Sequence, residues 1–362
     1  MAAPLERPDA LDATIVVVNY NGRGILGPCL EGCVRQIGCS VETIVVDNDS
    51  PDGSWDEAEG IDGVRLVRNA ENVGFGRACN QGAALARGRH LLFLNFDSVP
   101  EPDWAARLVA AADGDPSAGA VQGLILIDPH GEVMTAGNRV HYLGFSWAPI
   151  GLPPREPGVH EITTGCGASL LVPRALFEAA GGFWDGLFLY HEDLDLCWRL
   201  RMRGYRVLCE PRAVTHHRYE FARNPTKHLH MERGRWLTLA ANLELGTLLR
   251  LAPALAATEL GLLAVSARDG WFRQKLASAR SAIEATPAIA RQRRAVQTAR
   301  SVPDREVLQH FETRLGNEFG VAAARASAPL LSLYARLAGI PSRSGPPVPP
   351  SDFHLERPGG QF

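Results

Sequence analysis

The chain has 362 residues, carries a net charge of -3 at pH 7, and is 46% hydrophobic and 21% charged. These values are typical of a globular protein with one large domain and an appendage, or with two domains. They argue against nucleic-acid binding by the whole protein, because that requires a strongly basic surface. We therefore expect no nucleic-acid partner.

The cysteines and the N-terminus indicate a reducing compartment. The chain has seven cysteines, and Cys29 and Cys33 are four residues apart, which is the spacing of one helix face. We interpret the cysteines as reduced core residues rather than as a disulfide framework. Residues 1–11 are predicted to be an N-terminal extension, and they lack the apolar run of a signal peptide. The expected location is the cytoplasm.

The first half of the chain alternates predicted strands and helices. Strands are predicted at 14–18, at a segment ending at Val46, at VRLVRN and at HLLFLN, and helices at 24–36 and from Phe75 to Gly88. This alternation predicts an α/β fold with a mostly parallel sheet covered by helices on both faces. In such sheets, ligands bind at the carboxyl ends of the strands.

The next segments continue this pattern and then lose it. A helix at 100–112 and a strand at AVQGLILID precede a Gly-, Pro- and aromatic-rich stretch at 136–162, which predicts a long loop over the site. ASLLVPRALFEAAGGF predicts a strand and a short helix, and YHEDLDLCWRLRMRGYRVL predicts a helix and a last strand. Beyond about residue 236, Ala, Leu and Arg dominate and predict helices. Residues 343–362 predict a disordered tail.

Two carboxylates fall at the ends of predicted strands, on different strands. Asp47 follows the second strand and Asp97 follows the fourth. Asn95 and Asp97 are two residues apart, so they point to the same side of an extended chain. Carboxylate oxygens suit Mg²⁺ and Mn²⁺. Two acids that converge at one edge indicate a ligand site, whereas either one alone is also explained as a cap.

Three acids occupy the first turn of a predicted helix at YHEDLDL. Acids favour the helix dipole there, and Asp195 is also an i, i+4 partner of Arg199, so a structural role is one explanation. Glu192 and Asp193 remain beside the apolar segment GGFWDGLFLY. A carboxylate against apolar surface has a raised pKa and is able to act as a base.

Two further patterns are weaker when taken alone. His216 and His217 follow a predicted strand, and imidazole is a ligand of Mn²⁺, although such a pair is also often structural. Gly74 and Gly76 flank Phe75 at a helix start, where backbone amides are able to meet an anion. That segment matches neither the dinucleotide-binding nor the P-loop pattern.

Taken together and in order, these stretches resemble glycosyltransferase family 2, the inverting GT-A enzymes that use nucleotide sugars. The matching segments are TIVVVNYNG, VVDNDSPDGS, RNAENVGFGRACNQG, LLFLNFDSVP, GGFWDGLFLYHEDLDLCWRLRMRGYRV and HHRYEF. The chain looks most similar to the rhamnosyltransferase-type branch, which builds bacterial surface polysaccharides. The resemblance implies a GT-A, Rossmann-like catalytic domain at 12–240, with a nucleotide-binding half at 12–125 and an acceptor-binding half at 126–240. A helical region would then follow at 241–342.

The resemblance implies a donor nucleotide site at the strand ends. It places Asp47 at the nucleobase, with the backbone around Val18 and Asn19, and makes Asp97 the second acid of the DxD motif. Asn95 stands where many members carry the first Asp, and the rhamnosyltransferase branch is similar in carrying Asn there. The donor-site residues expected on this basis are Val18, Asn19, Tyr20, Asp47, Asn48, Asn72, Gly74, Asn80, Asn95 and Asp97.

The same resemblance implies the reaction. Asp193 is expected to be the catalytic base, with Glu192 beside it, and a divalent metal, Mg²⁺ or Mn²⁺, would be held by Asp97 and His216, with His217 as the alternative. The residues expected at the diphosphate or the acceptor are Gly167, Trp184, Arg233 and Arg235. A sugar would pass from a nucleoside-diphosphate donor, dTDP-rhamnose being the first guess, to a hydroxyl of a glycan or lipid-linked acceptor.

Alternatives remain open from the residues. A nucleotidyltransferase acting on sugar phosphates needs a Gly-rich, basic phosphate loop after the first strand; NYNGRGILG carries Arg23 but not that pattern. A non-catalytic sugar-nucleotide-binding protein predicts loss of Asp97 or Asp193, and both are present.

The helical region also admits two interpretations. It packs on the catalytic domain, or residues 236–305 contact the inner face of the cell membrane as a peripheral surface. Residues 268–305 carry nine Lys and Arg against three Asp and Glu. No stretch has the roughly 18 uninterrupted apolar residues of a spanning helix, because residues 236–267 are broken by Glu244, Arg250 and Glu259.

Overall fold

The computed structural model describes residues 11–218, 225–316 and 321–341, and side chains from residue 327 onward in the last segment. The predicted N-terminal extension, apart from Leu11, and the predicted tail at 343–362 lie outside the described residues.

A ten-stranded mixed sheet forms the centre of the fold, and a separate pair of short strands lies beside it. In chain order the strands are β1 (Ala13–Asn19), β2 (Val41–Asp47), β3 (Val64–Arg68), β4 (His90–Asn95), β5 (Ser98–Pro100), β6 (Ala118–Ile127), β7 (Glu132–Thr135), β8 (Arg139–Val140), β9 (Ser146–Trp147), β10 (His160–Glu161), β11 (Ser169–Pro173) and β12 (Arg206–His217). The order across the sheet is β10-β12-β6-β11-β4-β1-β2-β3, with β5 paired to β12 and β7 to β6, while β8 pairs with β9.

Helices cover the sheet and then continue alone. They are α1 (Leu26–Val34), α2 (Phe75–Leu85), α3 (Trp104–Asp113), α4 (Arg174–Ala179), α5 (Glu192–Met202), α6 (Lys227–Asn242), α7 (Leu245–Arg268), α8 (Phe272–Glu284), α9 (Thr286–Ala299), α10 (Asp304–Leu308) and α11 (Val321–Leu337), with a 3₁₀ turn at Ser54–Ala58. The predicted α/β alternation and the helical C-terminal part are confirmed.

The central strands are apolar throughout because both faces of the sheet are covered. Along β1, Ile15 and Val17 pack with α1 and α3, whereas Val16 and Val18 pack with α2 and α5. Successive side chains of a strand point to opposite faces, so a strand buried on both sides has no polar position to spare. The continuous run TIVVV follows from this placement.

Strand β11 runs antiparallel between β4 and β6, and this reversal positions the site. Ser169 is opposite Leu94, so β11 begins where β4 ends. The residues just before β11, including Gly167, therefore lie beside the residues just after β4, including Asp97. Strands β1 and β2 run parallel to β4, so their carboxyl ends lie at the same edge.

The stretch at 136–162 differs from the predicted loop over the site. It contains β8, β9 and β10, and its aromatic residues Tyr142, Phe145 and Trp147 are buried. Tyr142 and Phe145 belong to a cluster that includes Trp198 of α5 and Phe311 after α10. Apolar burial against the C-terminal helices therefore fixes this segment.

All seven cysteines are free thiols and five of them are buried, which agrees with the interpretation as core residues.

Helix α7 is long and apolar enough to cross a membrane by length and composition, which the charge interruptions in its sequence did not lead us to expect. That criterion alone is weak, since core helices also meet it.

Candidate active site

The carboxyl ends of β1 and β2 are joined by a buried polar network. The Asn19 amide donates to Asp47 Oδ1 at 2.7 Å and to the Ser54 hydroxyl at 2.8 Å. The Ser50 hydroxyl donates to Asp47 Oδ1 at 2.6 Å, and its backbone N–H donates to Oδ2 at 3.1 Å. Asp47 is fully buried. Both oxygens of Asp47 accept hydrogen bonds that shape the loop, and its placement at the nucleobase stays a prediction.

The loop that follows β2 meets the start of α2. The Asn48 amide donates to the Gly74 carbonyl oxygen at 3.2 Å, and its own oxygen accepts from the Asn69 amide at 2.8 Å. Asn72 Oδ1 accepts from the Gly74 N–H at 3.0 Å. The structure thus brings Asn48, Asn72 and Gly74 together beside the end of β2. Tyr20, just after β1, is exposed at the same edge.

A second loop, residues 181–191, closes onto α2. The Phe75 N–H donates to the Phe188 carbonyl oxygen at 2.9 Å. Gly74 has φ +87°, and a Cβ there would lie 2.4 Å from that same carbonyl oxygen, so only glycine fits. Phe188 itself is partly exposed and stacks on His230 of α6.

Two residues expected at the ligand instead hold this loop. The Asn80 amide donates to the Phe183 carbonyl oxygen at 2.8 Å and to Asp185 at 3.0 Å, and its oxygen accepts from the Phe183 N–H. Trp184 is buried in a cluster with Leu237 of α6. Asn80 thus holds the loop through both its amide and its oxygen, and Trp184 packs against the helices; their expected contacts with the ligand stay predictions.

The end of β4 carries an acid and an imidazole in contact. Asp97 Oδ1 lies 3.0 Å from His217 Nε2. The predicted ligand His216 points the other way, because neighbouring residues of β12 face opposite sides, and its Nε2 lies 2.8 Å from Glu101. The alternative, His217, is the histidine that the fold brings to Asp97. Asn95 is half-buried at the end of β4, one residue from Phe96.

The candidate base lies at the start of α5, against the loop before β11. Asp193 Oδ2 accepts from the Gly167 N–H at 3.0 Å, and Oδ1 accepts from the Leu194 N–H at 2.7 Å. Burial raises the pKa of Asp193, and these two amides act against that rise. Gly167 lies two residues before β11, and Ser169 of β11 pairs with Leu94 near the end of β4, so the Gly167–Asp193 contact is at the sheet edge where β4 ends.

Glu192, the neighbouring acid, is in a different environment. Burial, together with the Asp193 carboxylate, raises the pKa of Glu192 to about 8. Its Oε2 has no hydrogen-bond partner among the described residues. Both acids thus have a raised pKa, and the carboxylate that the Gly167 and Leu194 amides hold is Asp193.

The turn that leads into α5 is strained. Tyr190 and His191 have φ +64° and +68°, a conformation that costs energy for residues with side chains. His191 is buried against Gly234 of α6, and burial, helped by Arg235, lowers the pKa of His191 to about 4. Strain of this kind clusters at functional sites, and here it sets the direction from which Asp193 enters the site.

The two predicted arginines differ. Arg235 is fully buried and paired with Glu232 at 3.1 Å and with Glu259. Its charge is thus neutralised inside the helical region, which does not support its assignment to the diphosphate or acceptor. Arg233 donates to the Gly186 carbonyl oxygen at 2.5 Å and to the Ser281 hydroxyl at 2.9 Å, and it takes part in none of the ion pairs among the described residues.

Sequence reasoning missed two members of this edge, Asn69 and Phe188. Asn69 follows β3, so the rule that drew attention to Asp47 would also have found it. The role of Phe188 is carried by its backbone carbonyl, which no side-chain pattern reveals. Among the described residues, no group of three or more His, Cys, Asp and Glu side chains is placed to hold a metal ion.

Comparison with known proteins is consistent with a ligand site at this edge of the sheet. The model of glycosyl transferase family 2 matches residues 14–178. The chain is 30% identical over 248 residues to the N-acetylglucosaminyl-diphospho-decaprenol L-rhamnosyltransferase of Mycobacterium tuberculosis, which covers 59% of this chain and 79% of that protein. It is 36% identical over 149 residues to the O-antigen biosynthesis protein RfbC of Myxococcus xanthus, over 38% of this chain and 12% of RfbC.

Among solved structures, the crystal structure of GalNAc-T7 with UDP, GalNAc and Mn²⁺ superposes with a TM-score of 0.54 at 18% identity, over 65% of this chain and 48% of that one. The chain thus spans less than half of that structure and a small part of RfbC. At this identity the superposition shows the fold alone, which is of the GT-A type. The strand-end site, the family model and the similarity over most of a curated rhamnosyltransferase place this chain in glycosyltransferase family 2, among the glycosyltransferases of bacterial polysaccharide synthesis.

Proposed function

We propose that this protein transfers a sugar from a nucleoside-diphosphate donor to an acceptor hydroxyl with inversion at the anomeric carbon. The observation that carries the proposal is that two acids, held differently, belong to segments that meet the sheet where β4 ends. Asp97 lies against an imidazole after β4, and Asp193 is fixed by backbone amides before β11. Separate acids for the donor phosphates and for the base suit a single displacement.

Asp193 is the proposed base. Its two oxygens are oriented by the Gly167 and Leu194 amides, so one lone pair is directed without side-chain freedom. It takes the proton from the acceptor hydroxyl as that oxygen attacks the anomeric carbon, and the diphosphate leaves from the opposite face. Glu192 supports this role, because its pKa of about 8 favours its neutral form and so reduces its repulsion of the Asp193 carboxylate.

The fold family implies a divalent metal, and the residues after β4 fit one. A carboxylate oxygen and an imidazole nitrogen lie 3.0 Å apart at Asp97 and His217, which is a donor set that Mn²⁺ accepts. Two protein ligands leave positions for donor phosphate oxygens and water, as is common for Mg²⁺ and Mn²⁺. When bound there, the metal would neutralise charge that develops on the departing diphosphate.

The remaining site residues are proposed by position. Residues 12–125, with Tyr20, Asn48 and Gly74, hold the nucleotide, and residues 126–240 form the acceptor side. Arg233 is proposed at the diphosphate or acceptor, because its hydrogen bonds to Gly186 and Ser281 orient a guanidinium that no carboxylate of the described residues neutralises.

The donor and acceptor are proposed from a relative of which this chain covers 79%. The name of the Mycobacterium tuberculosis enzyme describes a rhamnosyltransferase that acts on a diphospho-decaprenol acceptor. We therefore propose dTDP-rhamnose as the first donor to test and a lipid-linked glycan as the acceptor, with the reaction at the cytoplasmic side of the cell membrane.

The geometry disfavours the nucleotidyltransferase alternative. That reaction needs a basic phosphate loop after β1, and Arg23 is the cation there. Its guanidinium is paired with Asp56 at 2.5 Å and contacts the Asp52 carbonyl oxygen. An arginine held by acids in this way is not free to receive phosphates.

The test is a transfer assay with purified protein. A panel of nucleoside-diphosphate sugars is supplied with polyprenyl-diphosphate N-acetylglucosamine, with Mg²⁺, with Mn²⁺ or with chelator, and the nucleoside diphosphate released is measured. We expect metal-dependent release from one donor, lost in Asp97→Asn and Asp193→Asn and retained in Asp185→Asn. Release that persists in Asp193→Asn would overturn the assigned base.

A further inference from the structure

The C-terminal helices carry most of the large hydrophobic side chains that the described part of the chain exposes. There are fourteen such side chains, and nine of them lie between residues 245 and 337. These nine are Leu245, Leu249 and Leu260 on α7, Phe272, Leu276 and Ile283 on α8, and Leu330, Leu333 and Leu337 on α11. A concentration of this kind marks an interaction surface, whereas single exposed leucines do not.

Helix α7 is apolar on both sides. Leu251 and Leu255 are buried in the core that α5 and α6 share, while Leu249 and Leu260 are 67% and 70% exposed. Between those two leucines the exposed positions are alanines, a proline and Arg250, so the outward stripe carries one cation and no acid. Only 17% of the most apolar stretch of this helix is buried. Water therefore faces an apolar stripe from Ala252 to Leu260 that contains no exposed charge.

The contacts of α7 decide how such a stripe meets a bilayer. Glu259, in the second half of the helix, lies 2.6 Å from Lys275 of α8 and is also paired with Arg235 of α6. Threading these charges into hydrocarbon would be costly. The helix is thus held lengthwise on the folded domain, and its outer face is suited to lie along a membrane rather than across it.

The stripes of α8 and α11 adjoin that of α7. The Tyr334 hydroxyl donates to the Arg250 carbonyl oxygen at 2.5 Å, and the Arg250 guanidinium donates to the Ala338 carbonyl oxygen at 3.3 Å. Leu249 precedes Arg250 and Leu337 precedes Ala338, so both exposed leucines lie next to these contacts. Helix α8 follows α7 after a tight turn at Gly270, which returns Phe272 alongside the end of α7.

Charge favours one kind of bilayer. Arg273 and Arg336 are exposed on α8 and α11, next to the apolar stripes, and take part in no ion pair among the described residues. The exposed acids of α8 and of its turn, Glu284 and Asp269, are already paired with arginines. Guanidinium groups suit lipid phosphates, and basic residues beside an apolar face strengthen binding to anionic lipid.

We propose that the exposed apolar stripes of α7, α8 and α11, which we call the lipid-facing surface, rest in the interface of a bilayer that contains anionic lipid. This inference goes beyond the sugar transfer proposed above and does not depend on it, because lipid binding needs no donor, acceptor or metal. The consequence for the reaction is that the active site works beside a membrane surface.

The test is flotation of the full chain with vesicles. One set is phosphatidylcholine alone, and the other contains phosphatidylglycerol in addition. The variant Leu249→Glu/Leu260→Glu places two charges on the lipid-facing surface. The matched control is Val34→Glu/Ile37→Glu, which places two charges on exposed apolar positions elsewhere. Val34, the last residue of α1, is 41% exposed, and Ile37, just beyond it, is 60% exposed. Thermal unfolding of each variant checks that the fold is retained.

We expect the wild type and the α1 control to float with anionic vesicles, and the α7 variant to lose more than about tenfold in membrane partitioning, since each leucine withdrawn from the interface contributes roughly tenfold. Absence of wild-type flotation, or equal flotation of the folded α7 variant, would overturn the proposal. Equal binding to neutral vesicles would overturn the part assigned to the arginines. A dimer in solution that the α7 substitutions dissociate, without vesicle binding, would assign the surface to a second copy.

Discussion

Replacing Asp193 with asparagine separates the proposed base from the structure around it. The Gly167 and Leu194 amides donate to different oxygens of the carboxylate. Asparagine has one acceptor oxygen, so one of these N–H groups is left without its partner, at a cost of about 1–3 kcal/mol in the free energy of unfolding. The rate loses the base itself, which contributes about 10²–10⁴-fold, or about 3–5 kcal/mol of barrier.

The two effects are measured on the same preparation. Chemical denaturation gives the free energy of unfolding, and release of nucleoside diphosphate in the presence of acceptor gives kcat. The matched control is Glu192→Gln, one residue earlier on the same helix turn. Because burial and the neighbouring carboxylate raise the pKa of Glu192 to about 8, an amide there resembles the protonated acid, and kcat near pH 7 should stay within about tenfold of wild type.

A reversal of this order would refute the reasoning. If Glu192→Gln abolished transfer while Asp193→Asn remained active, Glu192 would be the base and the amide-held carboxylate a structural element. If both variants lost only stability, neither acid would take the proton, and the edge formed with Gly167 would serve binding alone.

Three further outcomes are expected. The pKa of Glu192 is about 8 in the folded protein and near 4.5 in the unfolded chain, so the free energy of unfolding should fall as pH rises from 5 to 8. The expected slope is up to about 1.4 kcal/mol per pH unit in the wild type and smaller in Glu192→Gln. An equal slope in both proteins would contradict this. In calorimetry with nucleoside diphosphate present, His217→Ala should weaken Mn²⁺ binding by about 10–100-fold, whereas His216→Ala should leave it unchanged. If instead His216→Ala weakened Mn²⁺ binding and His217→Ala did not, His216 would be the ligand. In thermal melts, Gly74→Ala should destabilise the protein more than Gly60→Ala does. Both glycines have positive φ, but only at Gly74 would an added Cβ lie 2.4 Å from a carbonyl oxygen. Equal losses of stability would mean that backbone strain, about 1–2 kcal/mol, is the whole effect.

Local patterns were sufficient for the elements that bury an apolar run or stripe. The segments TIVVV, VETIVV and HLLFLN form β1, β2 and β4 because each is covered on both faces, and periodicity records that burial directly. The same logic placed Asp97 at a strand end. The sequence was also informative for α5, whose acids occupy the first turn as the dipole favours.

Contacts between distant segments were beyond such patterns. The choice between His216 and His217 depends on the register of β12, and that strand has an irregularity between Glu210 and Val214 that breaks simple alternation. Arg235 is neutralised by Glu259, which lies 24 residues further along the chain. The segment at 136–162 was read as a loop because its glycines and prolines are visible, whereas the helices that bury its aromatic residues are not.

The hydrogen bond between Phe75 and the Phe188 carbonyl oxygen has a consequence for protein engineering. It fastens the loop at 181–191, on the proposed acceptor side, to the first turn of α2, on the proposed donor side. Gly74 can accept no Cβ while that loop keeps its path. A chimera that imports only the loop from a relative inherits a mismatched anchor. Grafts meant to change acceptor preference should therefore exchange residues 72–76 and 181–191 as one module.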